Sequence, residues 1–266
     1  MFAKINHIAI TTDYYAVNGK FYEALFGMKT SSKPRPARAV PVGDGQIGLN
    51  NIPRREGHRS GLDHFGFEVK DIKQALDRIK KFDSDLEFVQ RPSVRPNAAW
   101  SVQDPEFNIF DLAEANASTA KDIFSENNWE QPRYINHIAM RAKNVDRCAQ
   151  FYADVFEMKS LNRPNDDNRY LSDGRVTLMI RPWKMSDYIG HDPKPPGLEH
   201  IGFKVESIEA VKRDMDDLIG QNPQLRTRPL GYGEEGQARL KLIQECPLGT
   251  FQLTDIEGVY IDVSES

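Results

Sequence analysis

The sequence INHIAI at residues 5–10 returns almost unchanged as INHIAM at residues 135–140. Each hexamer places one histidine, His7 or His137, among mostly apolar residues, and such a run predicts a short β-strand. The likeness continues without a gap to residues 33 and 163, and a phenylalanine–tyrosine pair and a methionine–lysine pair recur within it. A long internal repeat of this kind predicts two homologous halves.

A second pair of matching segments lies further along each half. GLDHFGFEVKDIKQALDRI (61–79) corresponds to GLEHIGFKVESIEAVKRDM (197–215), and each begins with a strand-like run that contains a histidine. Apolar residues at helical spacing follow, with Asp71 and Ser207 as predicted N-caps. Shorter strand-like segments complete the unit. The chain is therefore predicted to be an α+β protein of four βαβββ modules.

The repeats also set the predicted domain boundaries. Residues 116–133 are polar and aperiodic, so they are predicted to be a linker. Residues 1–115 would then form an N-terminal domain of two modules, and residues 134–266 a C-terminal domain of two modules.

Composition excludes several classes of function. The formal net charge of −4 gives no basic surface for nucleic acid. No apolar run approaches the roughly 20 residues that span a bilayer, and the N-terminal residues lack the pattern of a secretory signal. The two cysteines lie far apart in sequence, which is typical of reduced thiols. We expect a cytoplasmic protein that forms a homo-oligomer and binds a small molecule.

The histidines are the candidate functional residues, because four of the six open a module. An isolated histidine on a half-buried strand is more often a core residue, but recurrence at four equivalent positions favours metal binding. Two histidines and one carboxylate leave three positions open and suit non-haem iron(II). DPEFNIFDL (104–112) places Asp111 on the predicted last strand of the first half. Aligning FDL with the FQL of CPLGTFQL (246–253) places Gln252 at the corresponding position of the second half.

These features together resemble the vicinal oxygen chelate superfamily, which includes glyoxalase I, type I extradiol dioxygenases and bleomycin-resistance-type binding proteins. The resemblance rests on the histidine strand, the helix with its Phe-Tyr pair, the second H-x-G-F strand and the closing DP-x-x-N-x-x-acid-L segment. It implies that two modules curl into a cup-shaped mixed β-sheet, with helices outside and a metal inside. It implies the metal ligands His7, His64 and Asp111, with a second candidate set of His137, His200 and Gln252.

Four modules in two halves most resemble the extradiol dioxygenases. The resemblance then implies a ring-cleaving enzyme that uses Fe(II), or next Mn(II), to chelate vicinal oxygens of a small aromatic substrate. His58 or His191, in the segments between modules, would move the substrate proton. The last strand of modules one and three (45–53 and 174–182) carries no acid, which disfavours the four-ligand centre of glyoxalase I.

Several alternatives stay open. A redox-neutral C–C lyase, hydrolase or isomerase would use the same chelate, and a metal-free binding protein of the bleomycin-resistance type would use none. Extradiol enzymes place the working centre in the second half, where Gln252 is a weaker ligand, and carry a tyrosine where this chain has Ser101 or Trp100 and Ile243. Consecutive modules pair in some relatives, whereas the first pairs with the fourth in others.

GYGEEG (231–236) matches the dinucleotide fingerprint G-x-G-x-x-G. The fingerprint needs a strand before it and a helix after it. Because the strand-like ARLKLIQ (238–244) follows, the sequence predicts a glycine hairpin instead of a nucleotide site.

Overall fold

The computed structural model describes residues 2–30, 39–95, 97–115, 131–163, 166–185 and 196–265. The first half forms one mixed sheet of eight strands, and the second half forms a mixed sheet of seven. The elements of the first half are β1 (Ala3–Thr12), α1 (Tyr15–Phe26), β2 (Lys29–Thr30), β3 (Val40–Gly43), β4 (Gly48–Pro53), β5 (Gly61–Val69), α2 (Ile72–Phe82), β6 (Phe88–Arg95), β7 (Ala98–Gln103) and β8 (Ile109–Glu114). Those of the second half are β9 (Tyr134–Ala142), α3 (Val145–Phe156), β10 (Lys159–Ser160), β11 (Arg169–Ser172), β12 (Thr177–Pro182), β13 (Gly197–Val205), α4 (Ile208–Gln221), α5 (Gly233–Gln244), β14 (Phe251–Thr254) and β15 (Tyr260–Glu265).

Consecutive modules share a sheet. The strand order is β2-β3-β4-β1-β5-β8-β7-β6 in the first half and β10-β11-β12-β9-β13-β15-β14 in the second. The opening strands of two successive modules pair antiparallel in both halves, β1 with β5 and β9 with β13. The predicted α+β class with two mixed sheets is confirmed, and of the two pairings left open by the sequence the structure has the consecutive one.

Each sheet has a histidine face and an aromatic face, because successive side chains of a strand point to opposite sides. On β5, Phe65 and Phe67 alternate with His64 and are fully buried. They pack against Tyr152 and Phe156 of α3, and the rings of Phe67 and Phe156 stack with centroids 4.4 Å apart. A helix of the second half therefore covers the sheet of the first.

The packing is reciprocal across the two halves. The ring of Phe26 on α1 stacks on Phe203 of β13 with centroids 3.9 Å apart. The end of the predicted linker adds to this contact, since Arg133 donates to the carbonyl of Leu25 and forms an ion pair with Glu206. Residues 116–130 of the predicted linker lie outside the described residues. Most of the buried apolar side chains of the two halves form one continuous core, and a smaller cluster lies around Tyr170 and Met179.

The predicted helix caps are confirmed. The Asp71 side chain accepts a hydrogen bond from the backbone N–H of Gln74 at 2.8 Å, and the Ser207 hydroxyl accepts one from Ala210 at 3.3 Å. Both bonds satisfy donors that a helix leaves unpaired at its first turn. Within the described parts of the chain, no helix is long and apolar enough to cross a membrane.

The fourth module departs from the predicted βαβββ unit. The segment predicted as a glycine hairpin and a strand is the helix α5, so that prediction was wrong. Gly236 and Ile243 bury one side of this helix, and Glu234 and Glu235 lie in its first turn, where carboxylates stabilise the helix dipole. Residues 226–232 contain no strand, so the nucleotide fingerprint is still incomplete.

Candidate metal centres

Strand register brings the first cluster together. His7 lies opposite Gly66 across β1 and β5, and Gly66 lies opposite Asp111 across β5 and β8. A Cβ atom at Gly66 would be 2.1 Å from Cε1 of His7, so the imidazole occupies the space that the glycine leaves. His64 is two residues from Gly66 on the same strand and shares its face.

The donor atoms of this cluster converge. His64 Nε2 is 3.2 Å from Asp111 Oδ2, and His7 Nε2 is 3.9 Å from the same oxygen. The two imidazole rings are nearly perpendicular, with centroids 5.5 Å apart. All three side chains place one donor atom within 4.8 Å of the others. The structure therefore brings His7, His64 and Asp111 together as the sequence predicts.

Every module histidine is held by the residue before it. The Nδ1 atom of each ring contacts a side-chain oxygen at 2.5–3.0 Å, in the pairs His7–Asn6, His64–Asp63, His137–Asn136 and His200–Glu199. A hydrogen bond at Nδ1 fixes the ring and leaves Nε2 as the metal-binding nitrogen. This preceding polar residue was not predicted, although it is visible in the sequence at all four positions.

The first cluster contains an ion pair. Burial, and then the charge of His64, lowers the pKa of His7 to about 3. Burial also acts against a charged His64, but its hydrogen bonds to Asp111 and Asp63 prevail and raise its pKa to about 9. Burial acts against the charge of Asp111 as well, yet the bond from His64 holds the pKa of that carboxyl well below its usual range.

Arg91 and Ser101 complete the surroundings of Asp111. The Arg91 guanidinium donates to Asp111 Oδ1 at 2.6 Å, and the Ser101 hydroxyl donates to the same oxygen at 3.3 Å. The buried Nε of Arg91 has no hydrogen-bond partner among the described residues. Val89 is the register partner of Ser101 and is 62% exposed, whereas His7 and Asp111 are buried, at 3% and 2% exposed.

The second half has the same row of residues. Gly202 lies opposite His137 on one side and opposite Asp262 on the other, as Gly66 does with His7 and Asp111. Asp262 therefore takes the position that the sequence alignment assigned to Gln252. Gln252 is instead the register partner of Asp262 on β14, and its amide donates to Asp262 Oδ1 at 2.9 Å. The alignment failed because it used β14, while the last strand is β15.

A signal for Asp262 was present in the sequence. DPEFNIFDL (104–112) aligns without a gap with DIEGVYIDV (255–263), and this alignment pairs Asp111 with Asp262. The carboxylates at the start of both segments have the same role, because Asp104 and Asp255 each accept backbone hydrogen bonds within the turn before the last strand.

Cys246 joins the second cluster and was not predicted. Its Sγ is 3.5 Å from His200 Nε2 and 3.2 Å from Asp262 Oδ2. His137 Nε2 lies 3.3 Å from both His200 Nε2 and Asp262 Oδ2. Burial and the nearby Asp262 raise the pKa of the Cys246 thiol to about 12. Cys246 follows α5 in a segment that has no counterpart in the first half, so the repeat gave no signal for it.

The predicted proton carriers have different outcomes. His58 lies between β4 and β5, where its backbone N–H donates to the Arg55 carbonyl at 3.0 Å. The pKa of Asp63 is lowered mainly by its hydrogen bond to His64, and the charge of His58 adds to this effect. His58 is exposed and precedes Asp63 and His64 by five and six residues. His191 lies outside the described residues.

The two donor sets fit different metals. Two nitrogens and one oxygen suit Fe(II) or Mn(II), and the first cluster offers this set. Two nitrogens, one oxygen and one sulfur suit a softer ion such as Zn²⁺, and the second cluster offers this set. Both clusters are candidate metal centres on the chemistry of their side chains.

Comparisons with known proteins agree with this architecture. A search of the curated proteins finds no match. Among solved structures, the chain is similar to a Mn(II)-bound glyoxalase from Novosphingobium aromaticivorans, with a TM-score of 0.66, 11% identity, and coverage of 99% of this chain and 82% of that one. A halotolerant catechol dioxygenase, BphC, gives a TM-score of 0.61, 11% identity, and coverage of 100% and 87%.

A fusion protein of a xylose isomerase-like TIM barrel and a 4-hydroxyphenylpyruvate dioxygenase is also similar, with a TM-score of 0.62 and 15% identity. All of this chain matches it, but the chain spans only 49% of that protein. At these identities the likeness shows the shared fold. The model of one family matches both halves, at residues 4–111 and 134–229. The chain therefore belongs to the Glyoxalase/Bleomycin resistance protein/Dioxygenase superfamily, in its two-domain vicinal oxygen chelate form.

Proposed function

We propose that the protein is an extradiol-type ring-cleaving dioxygenase whose working centre is His7, His64 and Asp111 in the first half. The ion would be Fe(II), or next Mn(II), and the substrate a small aromatic molecule with two adjacent oxygens. The observation that carries the proposal is the convergence of two Nε2 atoms on one carboxylate oxygen. Asp111 Oδ2 lies 3.2 Å from His64 Nε2 and 3.9 Å from His7 Nε2. The cytoplasmic location and the homo-oligomer expected from the sequence stay predictions.

The donor set leaves room for a chelating substrate. His7, His64 and Asp111 would hold the ion and would leave it able to bind a substrate through two adjacent oxygens. The metal, when bound, supplies Lewis acidity that lowers the pKa of the substrate hydroxyl. Asn6 and Asp63 hold the two rings in place through Nδ1, so both Nε2 atoms are prepared for coordination before the ion arrives.

The charge around the centre favours an anionic substrate. A divalent ion with a single carboxylate ligand keeps one unit of positive charge, and Arg91 adds another beside it. The Nε–H of Arg91 is buried and has no hydrogen-bond partner among the described residues. The exposed Val89, on the same face as Ser101, provides an apolar contact for a flat ring.

His58 is the proposed proton carrier. It lies close enough to Asp63 for its charge to act on that carboxylate, and Asp63 in turn holds His64. A histidine in this place would take the proton from the substrate hydroxyl as the substrate binds, and return it to the product. His191, in the matching segment of the second half, is the corresponding candidate there.

A redox-neutral C–C lyase, hydrolase or isomerase is the second candidate. Arg91 suits it equally well, because a guanidinium beside the chelate would stabilise negative charge on substrate oxygens in either reaction. The two reactions differ in whether dioxygen is consumed.

The test is metal analysis and oxygen uptake on anaerobically purified protein. Wild type, His64→Ala and Asp111→Ala are compared, with His200→Ala as the matched variant of the other half. We expect His64→Ala and Asp111→Ala to lose one equivalent of iron or manganese, and His200→Ala to keep it. Catechols, whose two oxygens are adjacent, should cause oxygen uptake with wild type and His200→Ala but not with His64→Ala or Asp111→Ala; hydroquinones serve as the comparison.

Three results would contradict the proposal. If metal content is unchanged in both first-half variants, the site is wrong. If the metal is lost as expected but substrate is converted without oxygen uptake, the redox-neutral reaction replaces the dioxygenase. Absence of metal from wild type and from His200→Ala would favour a metal-free binding protein.

A further inference from the structure

The cluster of the second half is fully buried, whereas His64 of the first cluster is partly exposed. Helix α5 replaces a strand of the predicted module, and the segment after it reaches the cluster of His137, His200 and Asp262. Cys246 and Leu248 pack there with Ala139, Tyr170 and Met179. Gly249 lies so close to Asp262 that a Cβ atom would be 2.0 Å from Oδ1.

We propose that His137, His200, Cys246 and Asp262 form a four-ligand site for Zn²⁺ or a similar soft divalent ion, and that this ion has a structural role. The site is separate from the centre of the first half, and it does not depend on which reaction that centre performs. Cys246 distinguishes the two, because the first cluster has no thiol.

Most of the donor pairs have the spacing of ligands that share one ion. Nitrogen and oxygen ligands lie at about 2.0–2.2 Å from zinc and sulfur at about 2.3 Å, so neighbouring donors of a tetrahedron are about 3.3–3.6 Å apart. Four of the six donor pairs of the cluster lie at 3.2–3.5 Å. All four donors lie within 4.8 Å of one another.

Burial closes this site to a chelating substrate. His137 and Cys246 are 1% and 4% exposed, and His200 and Asp262 are fully buried. Four protein ligands leave a tetrahedral ion no position for a substrate, which is the arrangement of structural zinc sites. In the first cluster, by contrast, the side chain of His64 is 16% exposed.

Charge also favours occupation. A divalent ion with one carboxylate and one thiolate forms a neutral unit, which lowers the cost of burying it. The residues around the ligands are paired independently of the ion. Glu199, which holds His200, forms ion pairs with Arg141 and with Arg181, the latter at 2.8 Å.

The ion would fasten α5 to the sheet. Arg181 already joins the two, since it donates to the carbonyl of Leu242 at 3.2 Å near the end of the helix. Cys246 lies two residues beyond α5, so a bond from its sulfur would tie this segment to β9, β13 and β15. A cavity of about 250 Å³ borders His137 and Leu248.

Cobalt reports the thiolate ligand directly. The metal-free protein is titrated with Co²⁺, and a thiolate-to-cobalt charge-transfer band in the near ultraviolet is measured. We expect one equivalent of this band in wild type and also in His64→Ala, which removes a ligand of the first centre. Cys246→Ser should lose the band. Cys148→Ser is the matched control and should keep it, because Cys148 lies on α3 beside Asp104.

Thermal unfolding reports the structural role. Saturating Zn²⁺ should raise the Tm of metal-free wild type and of Cys148→Ser by about 5–10 °C, and should raise that of Cys246→Ser much less. The proposal is overturned if folded wild type binds Co²⁺ without the band, or if Cys246→Ser keeps it. The wild-type and Cys148→Ser spectra decide the question even if Cys246→Ser does not fold.

Discussion

Metal binding by His64 depends on pH, because the metal and a proton compete for its Nε2 atom. Its pKa is about 9 because Asp111 and Asp63 hold the protonated ring. A metal takes the place of the proton on Nε2, so the two compete. Below pH 9, His64 of the metal-free first cluster carries a proton that must leave before the metal binds. His7 has a pKa of about 3, so it is already neutral at any pH above that value.

We therefore predict that the affinity of the first cluster for Mn²⁺ rises about tenfold for each pH unit between pH 6 and pH 8, and that binding releases one proton. Titration calorimetry in buffers of different ionisation enthalpy measures both quantities. The experiment uses the Cys246→Ser variant, which lacks the sulfur ligand of the second cluster and leaves the first cluster unchanged. An affinity that does not change with pH in this range would contradict the assignment of His64 as a ligand.

The site could be predicted from sequence only where the repeat preserved it. His7, His64 and Asp111 follow from the repeated strands and the closing DP segment, and the structure places them together. Asp262 was missed because FQL resembles FDL more closely than IDV does, although the register of β15 decides the matter. Cys246 could not be found, because its position results from the packing of α5.

At the scale of elements, the pairing of β1 with β5 determines the shape of the first cluster. The ring of His7 lies directly over Gly66 of the neighbouring strand, and the same relation holds between His137 and Gly202. A strand interior tolerates glycine poorly unless something else needs the space. Here the imidazole of His7 occupies that space. Any side chain at Gly66 would displace this ring from its present position near Asp111.

Gly66→Ala is expected to destabilise the protein by about 1–3 kcal/mol, because the new methyl group overlaps the imidazole and the sheet must shift. The substitution should also weaken metal binding by the first cluster. The control is Gly220→Ala on α4, where no atom lies within 4 Å of the added methyl and the helix gains up to about 1 kcal/mol. Urea unfolding and metal titration measure both effects; equal stabilities for the two variants would count against the close approach.

The helix α5 shows where local pattern fails. ARLKLIQ alternates apolar and polar residues almost as a strand does, and the preceding glycines suggest a turn. The structure instead buries Gly236 and Ile243 on one side of a helix, with Gly231 and Gly233 in left-handed conformations before its first turn. In so short a segment the apolar pattern fits a strand and a helix about equally well, and tertiary packing determines which one forms.

At the scale of the whole molecule, the halves are joined by matching contacts. Tyr22 on α1 donates to Asp255 at 3.0 Å, and Tyr152 on α3 donates to Asp104 at 2.8 Å. Each bond runs from a helix of one half to the turn before the last strand of the other. Asp44 and Asp173 likewise accept the backbone N–H groups of Ile135 and Ile5. The internal symmetry of the sequence thus extends to the contacts between the halves.

Such an interface makes the two halves depend on each other for stability. Phe26 belongs to the first half but buries its ring against Phe203 in the sheet of the second, where the centroids are 3.9 Å apart. Removing a buried phenylalanine ring costs about 3–5 kcal/mol. If the halves unfold together, this loss must appear in both sheets, even though the substituted residue precedes the predicted linker.

Phe26→Ala should therefore lower the free energy of unfolding by about 3–5 kcal/mol in one transition, and hydrogen exchange should accelerate in β1 and β9 alike. Phe107→Ala is the control, since that ring is 73% exposed and its removal should change little. Exchange measured by mass spectrometry across a urea series separates the outcomes. Loss of protection in β1 at a urea concentration that leaves β9 intact would show that each half is stable alone, and the shared aromatic core would then contribute far less than its burial indicates.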